Sequence, residues 1–319
     1  YTECVYRPFD IRHCKNISSG AKKCVKSFEL IKKRRKFNEF TKKHLRVTKK
    51  CGTKTDLQRT AAKFDAVITG SDQVWNPNAT GGDFGYFLDF VGSGTKKIAY
   101  AASIGYRTFP PKYESKCIEY LKGFESISVR EKSACKTVAE SADKDVENVL
   151  DPTLLLSDLR WLDIAKKPRN LPHRYILVYM MEGCKYTIEK ARALARDKEC
   201  DLVLINPTLR QRQTCKDFVM YKAASPEEFV GMFAQADAVV TNSFHGVVFS
   251  VIFKKEFYAE TSNAEKSARI VDLLALFDLS DRILPNEING KPNWEKVNSQ
   301  LIKEKNKSIS WLKDSLDLN

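Results

Sequence analysis

The chain has 319 residues, of which 43% are hydrophobic and 29% charged, with a formal net charge of +14. That length exceeds one ordinary core and calls for two domains, and the apolar share excludes a disordered chain. The longest apolar runs, such as residues 247–253, fall far short of a bilayer span, and no stretch has the layout of a secretory signal, so the expected location is the cytoplasm. The nine cysteines show no C-x-x-C pair and no zinc-like spacing. They are expected as free thiols, with no metal site.

The charge is local. Residues 1–63 hold 19 Lys/Arg against 5 Asp/Glu, whereas the remaining residues hold 35 of each. Such a segment draws in a polyanion, an anionic membrane surface or phosphorylated substrates, or else is simply a solvated helical face. It has no zinc-finger or RNP-type signature, so nucleic acid is not expected.

Beyond it, apolar runs alternate with amphipathic stretches. Strands are predicted at 64–69, 97–102, 126–129, 175–181, 202–205, 217–221, 238–241 and 257–259. Helices are predicted at 111–124, 131–141, 186–197, 226–235, 245–253, 266–277 and 294–316. Near-continuously apolar strands separated by helices indicate parallel sheets covered on both faces. A polar, proline-broken stretch places the domain boundary near 157–173. The expected division is 1–160, 173–285 and a helical tail at 286–319.

Four strand ends carry candidate chemistry. After the first strand, Gly70-Ser71-Asp72-Gln73-Val74-Trp75-Asn76 packs polar groups into a loop that suits a sugar: Ser71, Asp72, Gln73 and Asn76 can grip hydroxyls, and Trp75 can stack on a ring. The plain alternative is a capped turn with a core tryptophan. At Ser128-Val129-Arg130-Glu131, an arginine beside a helix start suggests an anion site, against a simple pair with a neighbouring acid. At Asn242-Ser243-Phe244-His245-Gly246, Asn242 or Ser243 is expected to cap a helix. His245 then lies at its positive end, and Gly246 permits close approach of substrate or backbone. Lys266 and Arg269 share a helical face and can meet an anion together, or stand in solvent. No Gly-rich phosphate loop and no G-x-S-x-G elbow is present.

In this order and spacing, Gly70–Asn76, Ser128–Glu131 and Ser243-Phe244-His245-Gly246 resemble the polysaccharide pyruvyltransferase family, as does the stretch 266–282 with Leu279-Ser280-Asp281-Arg282. The likeness covers roughly residues 64–284. It implies an α/β fold of two Rossmann-like domains facing a cleft, glycosyltransferase-B-like, with the acceptor served by the first domain and the donor by the second. It implies transfer of a pyruvyl group from phosphoenolpyruvate, as co-substrate and without a cofactor, to a sugar or lipid-linked glycan of the cell envelope as a ketal. It assigns Arg130 and His245 to the donor, joined by Ser243, Gly246 and a basic residue matched by Lys266 or Arg269. His245 is the expected general acid and Asp72 the group that orients or deprotonates the acceptor. Family members begin with a strand and an Asn/Gly-rich loop, whereas residues 1–8 here read as the family's second strand. A nucleotide-sugar glycosyltransferase and a non-catalytic carbohydrate- or polyanion-binding protein are the alternatives. The basic segment suggests peripheral contact with the inner membrane face.

Overall fold

The computed structural model describes residues 17–181, 185–261, 264–286 and 290–318; the side chains of residues 17–28 and 264–266 are outside that description. In chain order the elements are helix α1 (Ile17–His44), α2 (Lys54–Ala61), strand β1 (Ala66–Thr69), α3 (Pro77–Thr80), β2 (Lys96–Ala102), α4 (Glu114–Leu121), β3 (Ser126–Val129), α5 (Lys132–Ala142), β4 (Val146–Asn148) and α6 (Asp158–Ile164). They continue with β5 (Tyr175–Tyr179), α7 (Lys185–Asp197), β6 (Asp201–Ile205), α8 (Leu209–Thr214), β7 (Val219–Tyr221), α9 (Pro226–Gln235), β8 (Ala238–Thr241), α10 (Phe244–Ile252), β9 (Glu256–Glu260), α11 (Ala264–Leu276) and α12 (Trp294–Ser315). The α/β class and the two parallel sheets are as expected.

The chain forms two compact units, and their composition corrects the expected division. One unit takes Lys50–Ser157 together with Thr261–Asn319; the other takes Asp158–Glu260 together with the N-terminal segment up to Lys49. Both ends of the chain therefore leave the domain that sequence order gives them, and the expected helical tail is not separate.

In the first unit the four strands β1-β2-β3-β4 run parallel in sequential order. Their core is aromatic: Trp75 stacks on Phe87 at 5.5 Å and meets Phe124 edge-on at 5.4 Å. Helix α12 belongs here because it carries partners for the sheet. Ser308 Oγ accepts from the Leu150 amide at 2.9 Å, and Trp311 lies 6.2 Å from the Tyr100 ring. Helix α11 is held by its Asp272 carboxylate, which accepts from the Ser133 amide at 2.8 Å near the start of α5.

In the second unit the parallel strands run in the order β9-β8-β5-β6-β7. Strand β8 and most of β5 are wholly buried, which is why they read as unbroken apolar runs. Helix α9 starts with a full capping box, Ser225 and Glu228, and proline at N1. Helix α1 joins this unit through ion pairs. Glu227, its side chain 6% exposed, meets Lys166 at 2.7 Å, His44 at 3.5 Å and Lys43 at 3.6 Å. Glu228 accepts from Lys36 at 2.5 Å, and both oxygens of Glu29 accept from Arg212, at 2.5 and 3.1 Å. Part of the basic surplus is thus consumed inside the molecule as an anchor. No helix among the described residues is long and apolar enough to cross a membrane.

Candidate active site

The chain beyond β1, β3 and β4 delivers an acid to Arg130, which itself follows β3. After β1 the chain turns at Gly70, with φ of +115°; a Cβ there would lie 2.0 Å from the Tyr100 carbonyl oxygen, so only glycine lets the loop pass over β2. Asp72 follows, and its carbonyl accepts from the amides of Val74 (2.7 Å) and Ser103 (3.0 Å), which fixes the loop to the end of β2. After β3 come Arg130 and Glu131. Beyond β4, Asp151 opens a short turn and accepts from the Thr153 amide and hydroxyl at 3.0 and 2.6 Å.

The Arg130 guanidinium donates to all three acids: Nη2 to Asp72 (2.9 Å), Nη1 to Asp151 (2.9 Å) and Nε to Glu131 (3.2 Å). Its side chain is 1% exposed, whereas that of Asp72 is 62% exposed. Asp151 is also met by the Ser71 hydroxyl at 2.9 Å. Burial raises the Glu131 carboxyl above its ordinary range, against the opposing pull of Arg130 and Ser103. Burial tends to lower the pKa of Arg130, but Glu131, Asp151 and Asp72 outweigh it and keep the guanidinium protonated. Arg269, brought in by α11, lies 4.0 Å from Asp72 with its side chain 17% exposed. Burial and the nearby Arg130 cation lower its pKa. With the Gln73 amide turned so that its oxygen faces Arg269, that oxygen accepts from both terminal nitrogens at 2.9 and 3.0 Å.

Three expectations change here. Arg130 does not offer an open fork to an anion, because its nitrogens are committed to carboxylates; it holds Asp72 in place. Trp75 cannot stack on a sugar: it is fully buried, and its indole N–H donates to the Tyr86 carbonyl at 3.3 Å. Asn76 is buried too and caps α3 through the Asn78 amide. What the loop shows to solvent is the Asp72 carboxylate, beside Gln73 and Arg269. Asp151 was not foreseen. Its signal, an Asp before Pro152-Thr153, is that of a helix cap, and nothing in it points to a partner 21 residues upstream.

The other predicted group lies in the second unit. Strands β5, β6 and β7 progress one way across the sheet, and β8 and β9 the other. The ends of β5 and β8 therefore form a topological switch point. Asn242 ties the two loops together there, accepting from the Met181 amide at 2.8 Å. Neither Asn242 nor Ser243 caps α10 as expected: Ser243 occupies the cap position without a side-chain bond, and its amide donates to Thr241 Oγ1 at 3.0 Å. His245 is the second residue of the helix, partly buried, with Phe244 edge-on at 5.4 Å. Gly246 does serve close approach, but to Thr241: a Cβ would lie 2.2 Å from Thr241 Oγ1. Lys266 lies in the first turn of α11, and its side chain is outside the described residues.

Among the described residues no group of His, Cys, Asp and Glu is arranged to hold a metal. The thiols of Cys117, Cys135, Cys200 and Cys215 are all pushed up by burial, Cys117 to about 11, which keeps them protonated and poor nucleophiles.

Among solved structures, the chain is similar to UDP-GlcNAc 2-epimerase from Methanocaldococcus jannaschii, with 14% identity over 82% of this chain and 80% of that chain and a TM-score of 0.51. It is also similar to AviGT4, a glycosyltransferase involved in Avilamycin A biosynthesis (12% identity, 86% and 80% covered, TM-score 0.48). Only the first score exceeds 0.5, and it speaks for the fold alone. No curated protein sequence matches significantly. The family model for polysaccharide pyruvyl transferase matches residues 9–262. With that match spanning most of the chain, on two parallel α/β units whose strand ends carry the motifs, the protein belongs to the polysaccharide pyruvyl transferase family.

Proposed function

We propose that this protein transfers the pyruvyl group of phosphoenolpyruvate to two hydroxyls of a sugar or lipid-linked glycan, closing a ketal and releasing inorganic phosphate. Family membership supports the reaction class. The observation that carries the residue roles is the exposed Asp72 carboxylate, clamped from beneath by a fully buried arginine at the carboxyl ends of a parallel sheet. A carboxylate fixed in that way is suited to accept a hydrogen bond from a sugar hydroxyl and orient it. Arg130 is then a positioning residue. Arg269, more open and beside Asp72, is the cation suited to the donor's carboxylate or phosphate.

In the reaction a proton goes to the donor's methylene carbon, and the neighbouring carbon gains oxocarbenium character. The first hydroxyl attacks that carbon and gives up its proton. The carbon–oxygen bond to phosphate then breaks, and the second hydroxyl closes the ketal, its proton leaving with the phosphate. His245, at a helix start on a switch point, is the proposed proton donor to the methylene carbon.

The test is phosphate release from phosphoenolpyruvate with a panel of sugar and lipid-linked acceptors, beside thermal unfolding with phosphoenolpyruvate and with a UDP-sugar. Turnover with a rise in Tm on adding phosphoenolpyruvate supports the reading. His245→Ala is expected to lower kcat by about 10²–10⁴ with a modest change in donor binding. A rise in Tm with the UDP-sugar alone would replace the donor with a nucleotide sugar.

A further inference from the structure

A second cationic site lies in the unit that carries His245. Helix α1 and the loop after β6 enclose a cavity of about 440 Å³, lined by Glu29, Lys33, Thr208, Arg210, Arg212 and Lys222 among others. That is ample for a phosphorylated sugar and more than phosphoenolpyruvate fills. The lining carries four cations and one acid, and the acid is already committed: Glu29 binds Arg212 through both oxygens, with Lys222 at 3.9 Å. Lys33 and Arg210 have no carboxylate among the described residues. Lys33 is moreover half-buried, and that burial lowers its pKa, a cost that a bound anion would offset. One strand separates this cavity from His245: β6 and β8 flank β5, so their carboxyl ends stand two strand spacings, roughly 10 Å, apart along one sheet edge.

We infer that this cavity binds the phosphate or diphosphate of a phosphorylated sugar or nucleotide, with Lys33, Arg210 and Lys222 holding the anion. The Arg212–Glu29 pair forms the fixed wall, and Thr208 adds a hydroxyl at the rim. The site is separate from the Arg130 cluster and does not depend on the donor being phosphoenolpyruvate. Its electrostatic character predicts affinity that falls steeply with salt.

The experiment is isothermal titration of the full chain, wild type and the double variant Lys33→Gln/Arg210→Gln, with inorganic pyrophosphate, glucose 1-phosphate, UDP and phosphoenolpyruvate. Lys33→Arg/Arg210→Lys is the charge-preserving control. Pyrophosphate and at least one ester are expected to bind the wild type and the control, and to bind the Gln variant at least about tenfold more weakly, as loss of two charge-assisted contacts requires. Phosphoenolpyruvate binding and turnover are expected to stay within about twofold. Glucose 1-phosphate outbinding UDP would identify a sugar phosphate, and the reverse a nucleotide; both support the site. Equal binding by wild type and Gln variant, or no binding of any phosphate but phosphoenolpyruvate, would overturn it. So would a parallel loss of phosphoenolpyruvate binding, which would make this cavity the donor site. Failure of turnover with all three proteins while the binding pattern holds would instead count against the proposed reaction.

Discussion

Two of the buried charge clusters among the described residues have opposite balance. Around Arg130 one cation sits among three acids, with Arg269 alongside. Between α1 and α9 two acids, Glu227 and Glu228, meet four basic groups: Lys36, Lys43, His44 and Lys166. The consequences differ in sign. In the acid-rich cluster burial raises the Glu131 carboxyl, outweighing Arg130, Ser103 and Arg269. In the base-rich cluster burial also acts to raise Glu228, yet Lys36, the Ser225 amide and the Tyr221 hydroxyl outweigh it and the pKa is lowered. The base-rich cluster is an anchor that fastens a helix. The acid-rich one leaves a carboxylate, Asp72, facing solvent while its counter-ion stays underneath, the arrangement on which the proposed function rests.

Removing the central cation is the harshest way to break this contrast. Arg130→Ala leaves Asp151 and Glu131 buried without their counter-charge and is expected to destabilise the protein by about 3–5 kcal/mol, read by denaturant unfolding. A near-neutral result would mean that the acids take up protons at little cost. Next comes a strand end that uses no charge at all. Gly246→Ala puts a methyl against Thr241 and is expected to cost about 1–3 kcal/mol, partly recovered by Thr241→Ala. Disrupting the anchor should matter less. Glu227→Gln frees Lys43 and Lys166, whose side chains are already more than half exposed, so about 1 kcal/mol is expected.

The smallest effect is the most discriminating, because it has two signs. The raised Glu131 contributes stability that is fully present below its unfolded pKa of about 4.3 and is lost as pH rises through its folded value. The lowered Glu228 contributes stability present above about 4.3 and lost as pH falls through its folded value. As pH rises above about 4.3, Glu131→Gln should therefore gain on the wild type, whereas the deficit of Glu228→Gln should stay level there and shrink as pH falls below about 4.3. Parallel slopes in the two variants would erase the comparison.

Periodicity and turn chemistry were enough to find most strands and helices, because buried parallel strands are apolar runs and helix starts carry caps such as Ser225-Pro226. Strand β4 was missed, being three residues with an exposed Glu147 at its centre. Helix α6 fell inside the stretch assigned to the boundary. The Gly70 loop, Arg130 and the Ser243–Gly246 turn were visible as polar motifs at strand ends, since the chemistry of a site must be written in residue types. Which motif residues face solvent was not visible, because that depends on neighbours far along the chain. Trp75 is core because Phe87 and Phe124 close over it, and Arg130 is committed because Asp151 arrives from beyond another strand. Likewise, the sequence determined that the N-terminal stretch is basic, but only tertiary structure decided where that charge goes. Lys36 and His44 find Glu228 and Glu227 almost two hundred residues away, and a Coulombic partner is chosen by distance in space, on which order along the chain is silent.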